Sequence, residues 1–358
     1  MGAELSGVTE QAFDEILFAR EGAAGIITLN RPKALNAVTH RMVGALQAQL
    51  DLWRDDPAVS CVVLRANGEK AFSAGGDIRA LYDLGKAGQY EQALSFWRDE
   101  YLLNAAIRDY PKPYISLIDG IVMGGGVGIS VNGRYRVAGD RFQFAMPEVS
   151  IGFFPDVGAT YILPRLPGLL GTWAALTGDR IRANDAVASG VATHRVASAR
   201  FDDLLAALRD GMPAETALAR CAAPPASLSL PVGLIDRCFA ADRVEDILAA
   251  LDAVATTSDV EGDFARAAAA TIRTKSPTSL RLALAQMRRG RDWTFAQAMR
   301  AEFRIVSRVV HDHDFYEGVR ALIVDKDNTP RWQPAALADV TDAAIERHFA
   351  PLPRELPL

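Results

Sequence analysis

Glu148 and Asp156 stand eight residues apart in the stretch AMPEVSIGFFPDVGAT, each directly after a proline, within a run that is otherwise apolar or small. Either acid alone fits a helix start, where proline suits the first turn and the carboxylate offsets the positive end of the dipole. The shared setting points further. With Phe and Met as neighbours and few local polar partners, burial should raise a carboxyl pKa. A carboxyl so shifted can move a proton near neutral pH.

Glycines supply the second signal. Gly124, Gly125 and Gly126 are consecutive, which costs too much chain entropy for a helix interior and implies a turn or a close backbone approach. The pair Gly75-Gly76 occurs in an equivalent place: SCVVLRA precedes AFSAGGDIR as YISLIDG precedes IVMGGGVG. In both units a strand-like segment ends at a glycine turn before a helix, so backbone N–H groups without helical partners can point into a cleft. A tight turn explains either run alone. Two such turns meeting on one carbonyl oxygen would form an oxyanion hole.

Other candidates are weaker. HDHD, His311 to Asp314, has no further ligands at metal spacing and is expected to be a solvated helix end. His40 and His194 have no visible partner, no Gly-x-Ser-x-Gly elbow supports a serine triad, and GGGVG lacks the spacing and later acid of a dinucleotide site. Cys61, Cys221 and Cys238 are odd in number and far apart, with no CxxC pair or zinc pattern, so buried reduced thiols are expected. Neither a metal nor a cofactor is expected.

The elements that must position these residues follow from periodicity. EILFAR, AGIITLN and SCVVLRA are strand-like, and Thr39 to about Arg54 reads as a helix with Met42, Ala45, Leu46, Leu50 and Trp53 on one face and Thr39 as its cap. Beyond about Pro164 the pattern turns almost wholly helical, interrupted by a connection at CAAPPASLSLPVG. The segments TSLRLALAQMRRG, FAQAMRAEFRIVSRVV and FYEGVRALIV are amphipathic, and the end, APLPRELPL, is expected to be loose. The fold class is α/β.

Composition sets outer limits. The chain has 358 residues, 49% hydrophobic and 23% charged, which suits a globular protein with a large core. A formal net charge of -5 gives no global field to attract nucleic acid. The start has no basic segment followed by an apolar one, the Met1-Gly2 opening makes no convincing myristoylation signal, and no long uncharged apolar run occurs. These features predict a cytoplasmic protein without a membrane partner.

Together LNRPKALNAV, AFSAGGDIR, DGIVMGGGVG and FAMPEVSIGFFPDVGATYILPRL resemble the crotonase (enoyl-CoA hydratase/isomerase) superfamily over roughly residues 16–196. The segments EYLLN, SPTSL and DFYEGVRALIVDKDNTPRW resemble its hydrolase branch, which releases CoA from 3-hydroxyisobutyryl-CoA, as in valine catabolism. The resemblance implies a crotonase-like spiral of ββα repeats over residues 14–200, and a helical C-terminal region, 201–358, that completes the CoA site. It implies an acyl-CoA partner, with coenzyme A as part of the substrate. It assigns the oxyanion hole to the amides of Gly76 and Gly125, catalysis to Glu148 and Asp156, and a substrate contact to Glu100. Without the resemblance, Glu100 beside Arg98 and Asp99 would read as a solvated residue.

Enoyl-CoA hydratases carry two glutamates, and the first of them falls here on Gly128, so plain hydration is disfavoured. The expected activity is hydrolysis of a short 3-hydroxyacyl-CoA thioester. An enoyl-CoA isomerase or divergent hydratase, and a non-catalytic CoA-binding protein, stand as alternatives. Family members often form trimers or hexamers, so a homo-oligomer stays open beside a monomer.

Overall fold

The computed structural model describes residues 14–224 and 226–358. The opening stretch, on which the leader and myristoylation expectations rest, lies outside them. Among the described residues, ten strands form two sheets. The larger is built from β1 (Ile16–Glu21), β2 (Ala24–Leu29), β3 (Cys61–Ala66), β5 (Tyr114–Ile118), β7 (Tyr135–Ala138) and β10 (His194–Arg195), in that order. The smaller follows the order β4 (Ala71–Ser73), β6 (Ile121–Met123), β8 (Gln143–Ala145) and β9 (Ile181–Arg182). From β3 to β8 the chain alternates between the sheets, which is the ββα spiral.

Strand faces explain why the larger sheet needs cover on both sides. Ile27 and Leu29 of β2 and Val62 and Leu64 of β3 enter the main core, while Ala24, Ile26, Cys61 and Val63 enter a second core on the opposite face. Side chains alternate at period two, so a strand apolar at nearly every position is buried from both sides. The helix His40–Arg54 covers the main-core face with Met42, Leu46, Leu50 and Trp53, and the Thr39 hydroxyl caps it by accepting from the Met42 amide at 3.2 Å. The helix Phe201–Arg209 covers the other face with Leu204, Leu205 and Leu208.

The C-terminal half is mainly helical, and its helices fix the loop that carries Asp156. Gln286, on the helix Pro277–Gly290, donates to the Pro155 carbonyl at 2.8 Å and to the Thr160 hydroxyl at 2.7 Å. Arg165 donates to the carbonyls of Tyr161 and Gly290, each at 2.8 Å.

Several expectations need correction. Strands β9 and β10 lie beyond Pro164, where the pattern reads as almost wholly helical, because each completes a sheet edge. The C-terminal end is tied down: Leu356 is buried, and Glu355 pairs with Arg304 at 2.9 Å. HDHD stands at a helix start with His311 and His313 exposed, as expected, but its two acids are engaged and Asp314 is buried. His311 packs against Tyr90 with the rings tilted at 55°, Asp312 meets His348 Nε2 at 2.7 Å, and buried Asp314 accepts from the Ser276 hydroxyl at 2.6 Å. The three cysteines are buried and free, as expected.

Gly290 is a direct test of the C-terminal packing. A Cβ there would stand 2.0 Å from the Thr160 carbonyl oxygen, a backbone atom that cannot swing away. Gly290→Ala should lose about 1–3 kcal/mol of stability, read by denaturant unfolding.

Candidate active site

The glycine turns meet because their strands are neighbours. β4 pairs with β6, with Ser73 opposite Val122, so Gly75-Gly76 and Gly124-Gly125 emerge side by side. Gly75 has φ +121° and Gly124 φ +44°, conformations that favour glycine. A Cβ on Gly125 would lie 3.1 Å from the Gly76 amide nitrogen and 2.5 Å from Glu100 Oε1. No side chain fits between the two backbones. Among the described residues, neither the Gly76 nor the Gly125 amide donates to a protein acceptor.

These turns open on a cavity of about 500 Å³ that is also lined by Glu100, Glu148 and Asp156. All five residues singled out in the sequence therefore meet at one place. Trp97 and Phe153, stacked with ring centroids 5.7 Å apart, form part of an apolar wall. A π-helical turn, Arg320–Val324, adds Leu322 and Ile323 from the C-terminal half.

Glu148 opens a short 3-10 turn, Glu148–Ile151, directly after Pro147, so the helix-start expectation holds for its backbone. Its side chain is 7% exposed, and Oε2 is buried without a hydrogen-bond partner. Asp156 is followed by Val157 at φ +53° and Gly158 at φ +96°, and its Oδ2 accepts from the Tyr101 hydroxyl at 2.8 Å. Glu100 is 2% exposed with Oε1 unpartnered, so it is not the solvated residue its neighbours suggest. It lies on the buried stripe of the helix Tyr90–Arg108, with Ala93, Trp97, Asn104 and Ile107.

A fourth acid completes the group. Glu302, fully buried on the helix Phe295–Val309, accepts from the Gly158 amide at 2.8 Å and the Thr160 amide at 2.9 Å. The sequence reading passed over both Glu302 and Tyr101. A signal for Glu302 was present: it falls on the apolar stripe of its helix with Ala298, Met299, Ile305 and Val309, where an acid needs a reason.

Burial is the main cause of every shift in this group. It holds Glu148 and Glu100 well above the usual carboxylate range, with the neighbouring Asp156 adding to both. Asp156 is pushed up to about 7 by burial, against the Tyr101 hydrogen bond, which favours the ionised form. Glu302 is pushed up to about 8 by burial and then by Asp156, although its backbone hydrogen bonds pull the other way. Among the described residues no lysine or arginine pairs with any of the four. The group must hold protons at neutral pH and can exchange them there.

The remaining candidates lie elsewhere. His40 pairs with Asp99 at 2.7 Å, and His194 meets Thr193 at 2.9 Å, neither lining the cavity. Arg31 is engaged with Glu15 and Asp77, each at 3.2 Å. Gly128 settles a further point. A Cβ there would lie 2.8 Å from both polar atoms of Asn104 and 2.9 Å from the Val157 Cβ, so a glutamate cannot be accommodated.

A family model described as Enoyl-CoA hydratase/isomerase matches residues 24–349. The chain belongs to this family. Among its relatives, a mitochondrial 3-hydroxyisobutyryl-CoA hydrolase of Danio rerio is 42% identical, with 96% of this chain and 92% of that protein covered. The corresponding Homo sapiens protein is 41% identical, with 95% and 90% covered. Two solved structures of the family superpose closely. One is a carnitinyl-CoA dehydratase from Mycobacterium thermoresistibile, 44% identical with a TM-score of 0.89, covering 96% of this chain and 98% of that one. The other is an enoyl-CoA hydratase from Rhodobacter sphaeroides 2.4.1, 40% identical with a TM-score of 0.88, covering 96% and 100%.

The mitochondrial relatives overturn the cytoplasmic expectation. No helix among the described residues is long and apolar enough to cross a membrane.

The buried acids make stability depend on pH. A carboxyl whose folded pKa is raised holds its proton after the unfolded chain has lost it, so its contribution is full below the unfolded value and is lost as pH rises through the folded one. For Glu302 that window runs from 4.5 to about 8. Glu302→Gln should therefore lose less stability than the parent between about pH 5 and pH 8.5, measured by denaturant unfolding at both values.

Proposed function

We propose that this protein hydrolyses the thioester of 3-hydroxyisobutyryl-CoA or a similar short 3-hydroxyacyl-CoA. The observation that carries this is the Glu148 carboxyl, buried beside two glycine turns whose amides have no acceptor among the described residues. The identity of about 42% with 3-hydroxyisobutyryl-CoA hydrolases over nearly the whole chain supports it.

The Gly76 and Gly125 amides would donate to the thioester oxygen as it becomes an oxyanion, a preorganised stabilisation that needs no rearrangement during the reaction. Glu148 would act as base toward water, or attack the carbonyl itself to give an anhydride that water then opens. In either route a C–O bond replaces the C–S bond, and the thiolate of CoA leaves and takes up a proton. Glu100 and Asp156 would accept hydrogen bonds from the substrate's 3-hydroxyl group or orient the water, a role that suits carboxylates.

Names of the superposed bacterial structures favour a second reading, hydration or dehydration of an enoyl-CoA. Gly128 weighs against it, because the position of the first hydratase glutamate has no room for a side chain.

A thiol reagent should detect CoA release from 3-hydroxyisobutyryl-CoA. Glu148→Gln should lower kcat by about 10²–10⁴-fold. Hydration of an enoyl-CoA with no thiol release from the hydroxyacyl thioester would reverse the preference. The pH dependence has a definite sign. Glu148 as base and Asp156 as acceptor both work when ionised and burial raises both, so kcat/KM should climb as pH rises through about 7 and above.

A further inference from the structure

Asp156 is unusual among the cavity acids in being fixed from outside the cavity on two sides. Tyr101 follows Glu100 on the helix Tyr90–Arg108, and the half-turn that aims Glu100 at the cavity carries the Tyr101 hydroxyl to Asp156 Oδ2 at 2.8 Å. A phenol has one proton to donate, and here it goes to a carboxylate, which is a strong, orienting contact. On the backbone side, Glu302 receives the amides of Gly158 and Thr160, the second and fourth residues after Asp156. Those amides flank the left-handed segment at Val157 and Gly158, a conformation that persists only where surrounding contacts over-determine it. A buried glutamate is a costly way to cap a four-residue helix, Ala159–Ile162, if capping were its whole purpose.

We propose that Tyr101 and Glu302 are positioning residues for Asp156: Tyr101 holds Oδ2 and so leaves Oδ1 for the substrate, while Glu302 locks the backbone turn that sets the direction of the side chain. The titratable groups around Asp156 are Glu100 and Tyr101 from one helix, Glu148 from the 3-10 turn and Glu302 from the C-terminal helix. Of these, Tyr101 alone donates a hydrogen bond to Asp156, so its removal has one sign. Without it the carboxylate loses stabilisation, and Asp156 releases its proton at higher pH.

This inference rests on the hydrolase reading for its role in turnover, and the test separates the two. Tyr101→Phe, Glu302→Ala and Glu302→Gln are compared with the parent by CoA release between about pH 5 and pH 9, and Asp156 is titrated by carbon NMR in aspartate-labelled protein. In Tyr101→Phe, the rising limb of kcat/KM and the Asp156 titration should both move up by about one pH unit, with plateau kcat about tenfold lower. In Glu302→Ala, plateau kcat should fall about tenfold with KM changed by less than about threefold. Glu302→Gln, which keeps the size and one acceptor oxygen, should recover part of that loss. An unmoved Asp156 titration in Tyr101→Phe overturns the Tyr101 assignment, even if the variant is less stable. Parent-like kcat in both Glu302 variants overturns the Glu302 assignment. A parent protein that releases no thiol defeats the hydrolase reading instead, while the NMR titration still decides the Tyr101 contact.

Discussion

Burying Glu100, Glu148, Asp156 and Glu302 together, with no lysine or arginine among the described residues paired to them, is the constraint on which the site depends. Removing an ion from water costs several kcal/mol even after relaxation, so such a group cannot carry four charges. Protons are retained, and Asp156 and Glu302 are left poised near neutrality. Asp156, with a hydrogen bond favouring its ionised form, sits lowest of the two with assigned values, at about 7 against about 8 for Glu302. Environment separates acids of one chemical type into different protonation states, and acid–base chemistry needs that separation.

The rest of the architecture serves that arrangement from opposite ends of the chain. Alternation of successive strands between two sheets brings β4 beside β6 and sets their glycine turns in contact. Close approach is enforced by sterics: the Gly125 position has no space for a Cβ beside the Gly76 amide. The acidic half of the cavity is fixed by helices remote in sequence, through Gln286 on the Pro155 carbonyl and Glu302 on the amides beyond Asp156. Spiral and C-terminal helices share one hydrophobic core, running from Ile16 to Leu356, so a shift in either would displace the cavity wall.

Errors of the sequence reading have a common form. Segments were judged by their neighbours in sequence, whereas burial is conferred by neighbours in space. HDHD is polar throughout and its histidines are exposed, yet Ser276 packs on Asp314 and buries it, and His348 engages Asp312. APLPRELPL looks like a loose end, yet Leu356 finds the core and Glu355 finds Arg304. Strands β9 and β10, two residues each, are too short to show a period and exist only because a sheet edge accepts them.

By itself the sequence determined the α/β class, the helix His40–Arg54 with its cap, the paired glycine turns and the apolar setting of Glu148 and Asp156, whereas Glu100 stood out only through the family resemblance. Glycine conformational freedom, two- and 3.6-residue periodicity and motif spacing are local properties, legible along the chain. Only the tertiary structure decided which acids share a cavity, that Tyr101 and Glu302 belong with them, and that Gly128 excludes a second glutamate. Those outcomes depend on distances between residues as far apart as Asp156 and Glu302. Desolvation and steric exclusion arise only when such segments pack together.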